Sequence, residues 1–164
     1  MSTANQIVSS YNPADFSDAS KFKFAIITAE WNKEVTLALF EGAKTTLIEC
    51  GAGIQNINMI NVPGSFELTA AATLLASTQK YDAIIALGCI IEGETRHFEF
   101  IANAVAQGLS NVTIKYNIPI IFGVLTTGNL TQALERAGGR LGNKGIEAAL
   151  AAIKMADLKC RLNP

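Results

Sequence analysis

One stretch gathers much of the reactive chemistry in this chain: Gly88-Cys89-Ile90-Ile91-Glu92-Gly93-Glu94-Thr95-Arg96-His97-Phe98. It contains the only histidine, two carboxylates, a guanidinium, a thiol and two glycines. Their order suggests proton transfer beside a bound anion. Glycine-spaced backbone N–H groups that open a helix bind anions, because they point outward and the helix dipole is positive at that end. An imidazole at the same place can carry protons to and from a reacting group. His97 could equally be a packed or surface histidine, and Thr95 a simple helix cap.

The elements that must position this stretch are legible on either side of it. Ala83-Ile84-Ile85-Ala86-Leu87 is a short apolar run ended by Gly88, which reads as a buried strand. Downstream, Phe98, Ile101, Ala102, Val105 and Leu109 recur at the spacing of one helical face. The same alternation runs through the chain. Phe22 to Ile27 reads as a strand, followed by a helix with Leu37, Phe40, Ala43 and Leu47 on one face. Ile54 to Val62 reads as a second strand, with Ile57, Met59 and Ile60 in the core. Pro63-Gly64 closes it, and Ser65 is a plausible N-cap for a helix carrying Leu68, Ala71, Ala72 and Leu75. Pro119 to Val124 reads as the fourth strand. Leu130, Ala133, Leu134 and Ala137 form a short helix stopped by Gly138-Gly139, and an Ala-rich helix runs from Lys144 to about Lys159.

Strands alternating with helices require crossover connections and hence a parallel sheet. Right-handed crossovers put helices on both faces. The expected fold class is α/β: a single three-layer αβα domain with a four-stranded parallel sheet. Residues 1–20 read as a polar N-terminal arm, with Ile7-Val8 its only apolar patch, and residues 21–164 as the domain.

In such a sheet, ligands bind outside the carboxyl ends of the strands. The four exits hold Glu30-Trp31-Asn32, Pro63-Gly64-Ser65-Phe66-Glu67, Gly88 to His97, and Phe122 to Gly128. The only tryptophan and the only histidine are both there. Trp31 could cap the core or stack on a flat heterocycle. Phe66 reads as core. Glu67 reads as a surface acid suited to a helix start, or as a hydrogen-bond acceptor for a ligand. Arg136 suits a helix end, and Gly138 to Gly145 could be a helix–helix kink. That last segment is not a Walker sequence, since the preceding strand and the spacing are both wrong.

Composition narrows the function classes. Of the 164 residues, 49% are hydrophobic and 16% charged, a low charge fraction that suggests apolar surface buried between subunits. A net charge of −1 argues against nucleic acid or anionic membrane as partner. No apolar run is long enough to span a bilayer, and the first twenty residues lack signal-peptide shape. Three cysteines and one histidine make neither a zinc signature nor a disulfide framework, so the expectation is a cytoplasmic protein with no metal.

Five ordered motifs carry a resemblance. They are Trp31-Asn32, Pro63-Gly64-Ser65-Phe66-Glu67, Gly88 through Phe98, Pro119 through Thr126, and Glu135-Arg136-Ala137-Gly138 with Gly142-Asn143-Lys144-Gly145. From about Phe22 to Met155 the chain resembles the 6,7-dimethyl-8-ribityllumazine synthase family of riboflavin biosynthesis, whose fold is flavodoxin-like. The resemblance implies condensation of 5-amino-6-(D-ribitylamino)uracil with 3,4-dihydroxy-2-butanone 4-phosphate, without metal or redox cofactor. It implies that Trp31 stacks on the pyrimidine and that Ser65, Phe66 and Glu67 hold the ribityl chain and pyrimidine edge. Cys89, Ile90 and Ile91 would line the pocket, Glu94 and Thr95 would offer N–H groups to the phosphate, and His97 would transfer protons. Phe122 and Arg136 would reach in from a neighbouring subunit, with Lys144 a further residue of the phosphate region. The family forms pentamers, and the short Gly138-to-Gly145 turn resembles that of members which assemble sixty subunits into a shell. There the arm around Ile7-Val8 would add a strand to a neighbour's sheet. Two departures stand out: Trp31 where many relatives have Phe, and Glu92 where many have a basic residue. The competing readings are a flavodoxin-like module that binds a flavin or pyrimidine without turnover, and a cage with a vestigial site.

Overall fold

Every residue of β1 (Phe24–Ala29) is buried, as expected of a strand covered on both faces. A computed structural model of the protein describes residues 11–162. β2 (Ile57–Val62) and β3 (Ala83–Ile91) pair with β1 on its two sides, and β4 (Ile120–Thr127) pairs with β3, all parallel. The order is therefore β2-β1-β3-β4 in one four-stranded sheet. The first connection runs one way from β1 and the later ones the other. This makes the gap between the ends of β1 and β3 the topological switch point.

Helices cover both faces. α1 (Lys33–Glu49) and α5 (Lys144–Leu162) close one side, where Leu39, Leu47 and Ile153 meet Phe24, Ile26 and Leu87. α2 (Leu68–Ser77) and α3 (His97–Tyr116) close the other, where Leu68, Val105 and Leu109 meet Ile27, Ile84 and Ala86. The flavodoxin-like three-layer α/β expectation therefore holds. Residues 11–20 lie along α1 and its end: the Tyr11 hydroxyl bonds Thr46, Phe16 packs on the core and Ala19 is fully buried. The Ile7-Val8 patch lies outside the described residues.

Several local readings need correction. The buried stripe of α1 is Val35, Thr36, Leu39, Ala43, Thr46 and Leu47, while Leu37 points outward. Counting only apolar residues hid two threonines that face inward. Residues Ile54–Asn56 form a 3-10 turn before β2. β2 is an edge strand, so Met59 is largely exposed. Ser65 does not cap α2: the helix starts at Leu68, and no side chain bonds its first N–H groups. The segment after α4 (Leu130–Glu135) is no kink. It is a small antiparallel hairpin of β5 (Ala137–Gly139) and β6 (Gly142–Asn143), which takes Ala137 out of the helix.

This hairpin is clamped where α1 and α5 cross. A Cβ on Gly145 would sit 1.8 Å from the Leu39 carbonyl oxygen, so only glycine permits the approach. Asn143 is buried beside it, donating to the Ala38 carbonyl at 3.0 Å and accepting from the Gly145 N–H at 2.8 Å.

Candidate active site

Three strand exits and the start of α3 enclose a cavity of about 360 Å³ at the switch point. Trp31 and Asn32 come from the exit of β1, and Gly64, Ser65, Phe66 and Glu67 from that of β2. Cys89, Ile90 and Ile91 form the end of β3, while Gly93, Thr95, His97, Phe98 and Ile101 come from the following loop and helix. A larger cavity, about 460 Å³, lies along β2 and α1, between Glu30, Lys33, Phe40 and Met59, and does not reach the histidine loop.

The aromatic walls are not core residues that happen to sit nearby. Trp31 is 73% exposed and Phe66 56% exposed, so neither the core-cap reading of Trp31 nor the core reading of Phe66 holds. Both present apolar area to the opening at little entropic cost. Ser65 is buried, and its hydroxyl occupies the space that a Cβ on Gly88 would fill, 2.6 Å from that point. That hydroxyl meets no hydrogen-bond partner among the described residues. A shielded hydroxyl at a cavity wall without a protein partner is suited to a polar group of a ligand. Glu67 is half-buried on the same rim. The Cys89 thiol is pushed up to about 11 by burial, so at neutral pH it is a protonated apolar wall rather than a nucleophile.

His97 is the first residue of α3 and is exposed at the cavity. The helix has no side-chain cap, which removes the cap reading of Thr95 and leaves first-turn N–H groups for an anion. Arg96 is turned to Glu99, with a 2.7 Å ion pair, rather than to the cavity. Glu92 extends the end of the strand, its N–H donating to the Thr127 carbonyl at 2.9 Å. Among the described residues no cluster of three His, Cys, Asp or Glu side chains could hold a metal, and no helix could cross a membrane.

Four of the expected site residues do not line this cavity: Glu94, Phe122, Arg136 and Lys144. Glu94 is exposed on the loop beside it. Phe122 is 43% exposed on β4, the opposite edge strand from β2. Arg136 and Lys144 flank the clamped hairpin, the Lys144 N–H donating to the Arg136 carbonyl at 2.8 Å. Their side chains differ: Lys144 is paired with Glu147, while Arg136 forms no ion pair among the described residues. Gly93, read with Glu94 and Thr95 as a source of N–H groups for a phosphate, lines the cavity, whereas sequence reasoning gave no site role to Asn32, Gly64, Phe98 and Ile101, which line it too. Asn32 was the one with a visible signal, an amide next to the only tryptophan at a strand exit.

Known proteins match this chain along most of its length. The family profile described as 6,7-dimethyl-8-ribityllumazine synthase matches residues 21–160. The chain is similar to the 6,7-dimethyl-8-ribityllumazine synthase of Cytophaga hutchinsonii, at 52% identity over 94% of this chain and 97% of that one. The protein of the same name from Parabacteroides distasonis is 48% identical over 96% of this chain and 98% of its own. That from Porphyromonas gingivalis is 45% identical over 97% and 99%.

Proposed function

The chain belongs to the 6,7-dimethyl-8-ribityllumazine synthase family, and on that premise we propose how its residues divide the work. It is a transferase of riboflavin biosynthesis acting on small molecules. It condenses 5-amino-6-(D-ribitylamino)uracil with 3,4-dihydroxy-2-butanone 4-phosphate, releasing inorganic phosphate and two waters. The amine attacks the ketone and one water leaves as the imine forms. Phosphate is then eliminated, and the ribityl-bearing nitrogen closes the ring with loss of the second water.

The observation that carries the assignment of roles is the switch-point cavity, where exposed aromatic faces, an unpartnered hydroxyl and the helix-start histidine converge. Trp31 stacks on the pyrimidine, while Ser65, Phe66 and Glu67 hold its edge and the ribityl chain. Cys89, Ile90 and Ile91 form the floor. The N–H groups at Glu94 and Thr95 receive the phosphate of the butanone. His97 moves protons among amine, carbinolamine and leaving group. Arg136 neutralises the departing phosphate.

Arg136 and Phe122 lie away from the cavity of their own chain, which supports their serving the cavity of a second copy. The working form on this reading is a homo-pentamer, and the tight hairpin at Gly138 to Gly145 suits a closed shell of sixty. The three free cysteines suit the reducing cytoplasm, where we assign the protein. The test is turnover: purified protein is incubated with both substrates, and lumazine absorbance is followed against a protein-free control. Acceleration that falls about a hundredfold or more in His97→Ala is the expected result. Well-folded protein that accelerates nothing contradicts the reading, and tight binding by it would favour a module without turnover.

A further inference from the structure

We propose that Asn32 is a positioning residue that fixes Trp31 against the end of β3 and so sets the width of the slot for the pyrimidine; this rests on the reading given above. Three observations carry it. Asn32 sits in the left-handed region, φ 58° and ψ 46°, which few side chains other than Asn adopt at low cost. It stands directly before α1, where an asparagine ordinarily caps the helix, yet its side chain makes no capping bond. Instead the Asn32 amide crosses the switch point and donates from Nδ2 to the Cys89 carbonyl at 2.9 Å.

Backbone and side chain therefore do separate jobs. The Asn32 carbonyl starts α1 by accepting from the Val35 and Thr36 N–H groups at 2.9 and 3.1 Å. The left-handed turn frees the side chain to bind β3. On the other flank, the N–H groups of Glu30 and Trp31 donate to the Val62 and Pro63 carbonyls at 2.8 and 3.3 Å. Trp31 is thus tethered on one side to the exit of β2 and on the other to that of β3. The tethers are needed because Trp31 is 73% exposed and packing alone holds it poorly. The Asn32 bond ends on the carbonyl of Cys89, and Ile90 and Ile91, which follow, line the same cavity as the indole. Releasing the bond frees the β1 exit to move away from that floor.

The experiment uses the fact that Trp31 is the only tryptophan. Asn32→Gly keeps access to the left-handed region but removes the amide. Asn32→Asp keeps the shape but turns an acceptor toward the Cys89 carbonyl. Indole emission is titrated with the ribitylaminouracil, and KM and kcat are measured for both substrates. Both variants are expected to raise the pyrimidine's dissociation constant and KM about tenfold. The KM for the butanone phosphate should be unchanged and kcat should stay within about threefold of the parent. In a Trp31→Ala background, Asn32→Gly should add less than about twofold, since its effect acts through the indole. Folded variants with parental quenching and KM overturn the proposal. So do equal losses toward both substrates, full additivity with Trp31→Ala, or failure of both variants to fold. Indole anisotropy of the unliganded protein, expected to fall in Asn32→Gly, decides the tether even if the parent proves to have no turnover.

Discussion

The cleft at the switch point and the clamped hairpin between α1 and α5 are built on opposite plans. In the cleft, side chains stand open: Trp31 and Phe66 are more than half exposed, and the Ser65 hydroxyl lacks a protein partner. At the hairpin, contacts close. Gly145 touches the backbone of Leu39, Asn143 is buried with its amide bonded, and Lys144 is paired with Glu147. Among its charged side chains, Arg136 stands without an ion pair among the described residues. The difference teaches that one region leaves apolar and polar side chains unpartnered around a cavity, while the other closes its backbone tightly and leaves Arg136 half-buried without an ion pair among the described residues. Mutations should separate accordingly, with binding or turnover lost in the first and stability lost where the closed contacts of the second are broken.

The largest effect should come from Gly145→Ala. A methyl placed 1.8 Å from the Leu39 carbonyl oxygen cannot be absorbed without parting α1 from α5. A loss of about 3 kcal/mol or more in denaturant unfolding is expected. Parental stability would break the claim that the hairpin is locked. Next, His97→Ala should leave stability within about 0.5 kcal/mol of the parent while turnover collapses. Equal losses in both would place His97 in the packing rather than the chemistry. Trp31→Ala should weaken the pyrimidine by about 1–2 kcal/mol in a fluorescence-independent titration, again with little change in unfolding.

The smallest effect concerns Cys89. With its thiol held up to about 11 against an ordinary value of 9.0, maleimide at neutral pH should label exposed Cys160 and spare Cys89. The sign of the linkage follows. Between these two values the unfolded chain releases the proton and the folded one keeps it. This contribution to stability is therefore full below pH 9 and is lost as pH rises through about 11. Rapid labelling of Cys89 in the folded protein would contradict the burial.

Much of this was legible in the sequence, for identifiable reasons. β1 and β3 are continuous apolar runs, which a parallel sheet covered on both faces demands. Strand exits follow from topology alone, so Trp31, Ser65 and His97 could be grouped before any geometry was known. What failed depended on facing. The threonines of α1 turn inward and Leu37 outward, because α5 and the hairpin decide which side of α1 is covered. Phe66 read as core because an exposed phenylalanine has no local signature. The hairpin read as a kink because two glycine-rich steps give no alternation from which to infer strands. Asn32 was visible at a strand exit, but its bond partner was not, because the Cys89 carbonyl lies 57 positions away.

In the proposed function, the open cleft of one copy is completed by Arg136 of another. Co-expressing His97→Ala with Arg136→Ala in equal amounts tests it most directly. Each variant alone should be nearly inactive. Random co-assembly pairs an intact cleft with an intact arginine at about a quarter of the junctions, so roughly a quarter of parental turnover should return. Mixed assemblies that remain as inactive as either variant alone would contradict a shared site and place both residues in one chain's chemistry.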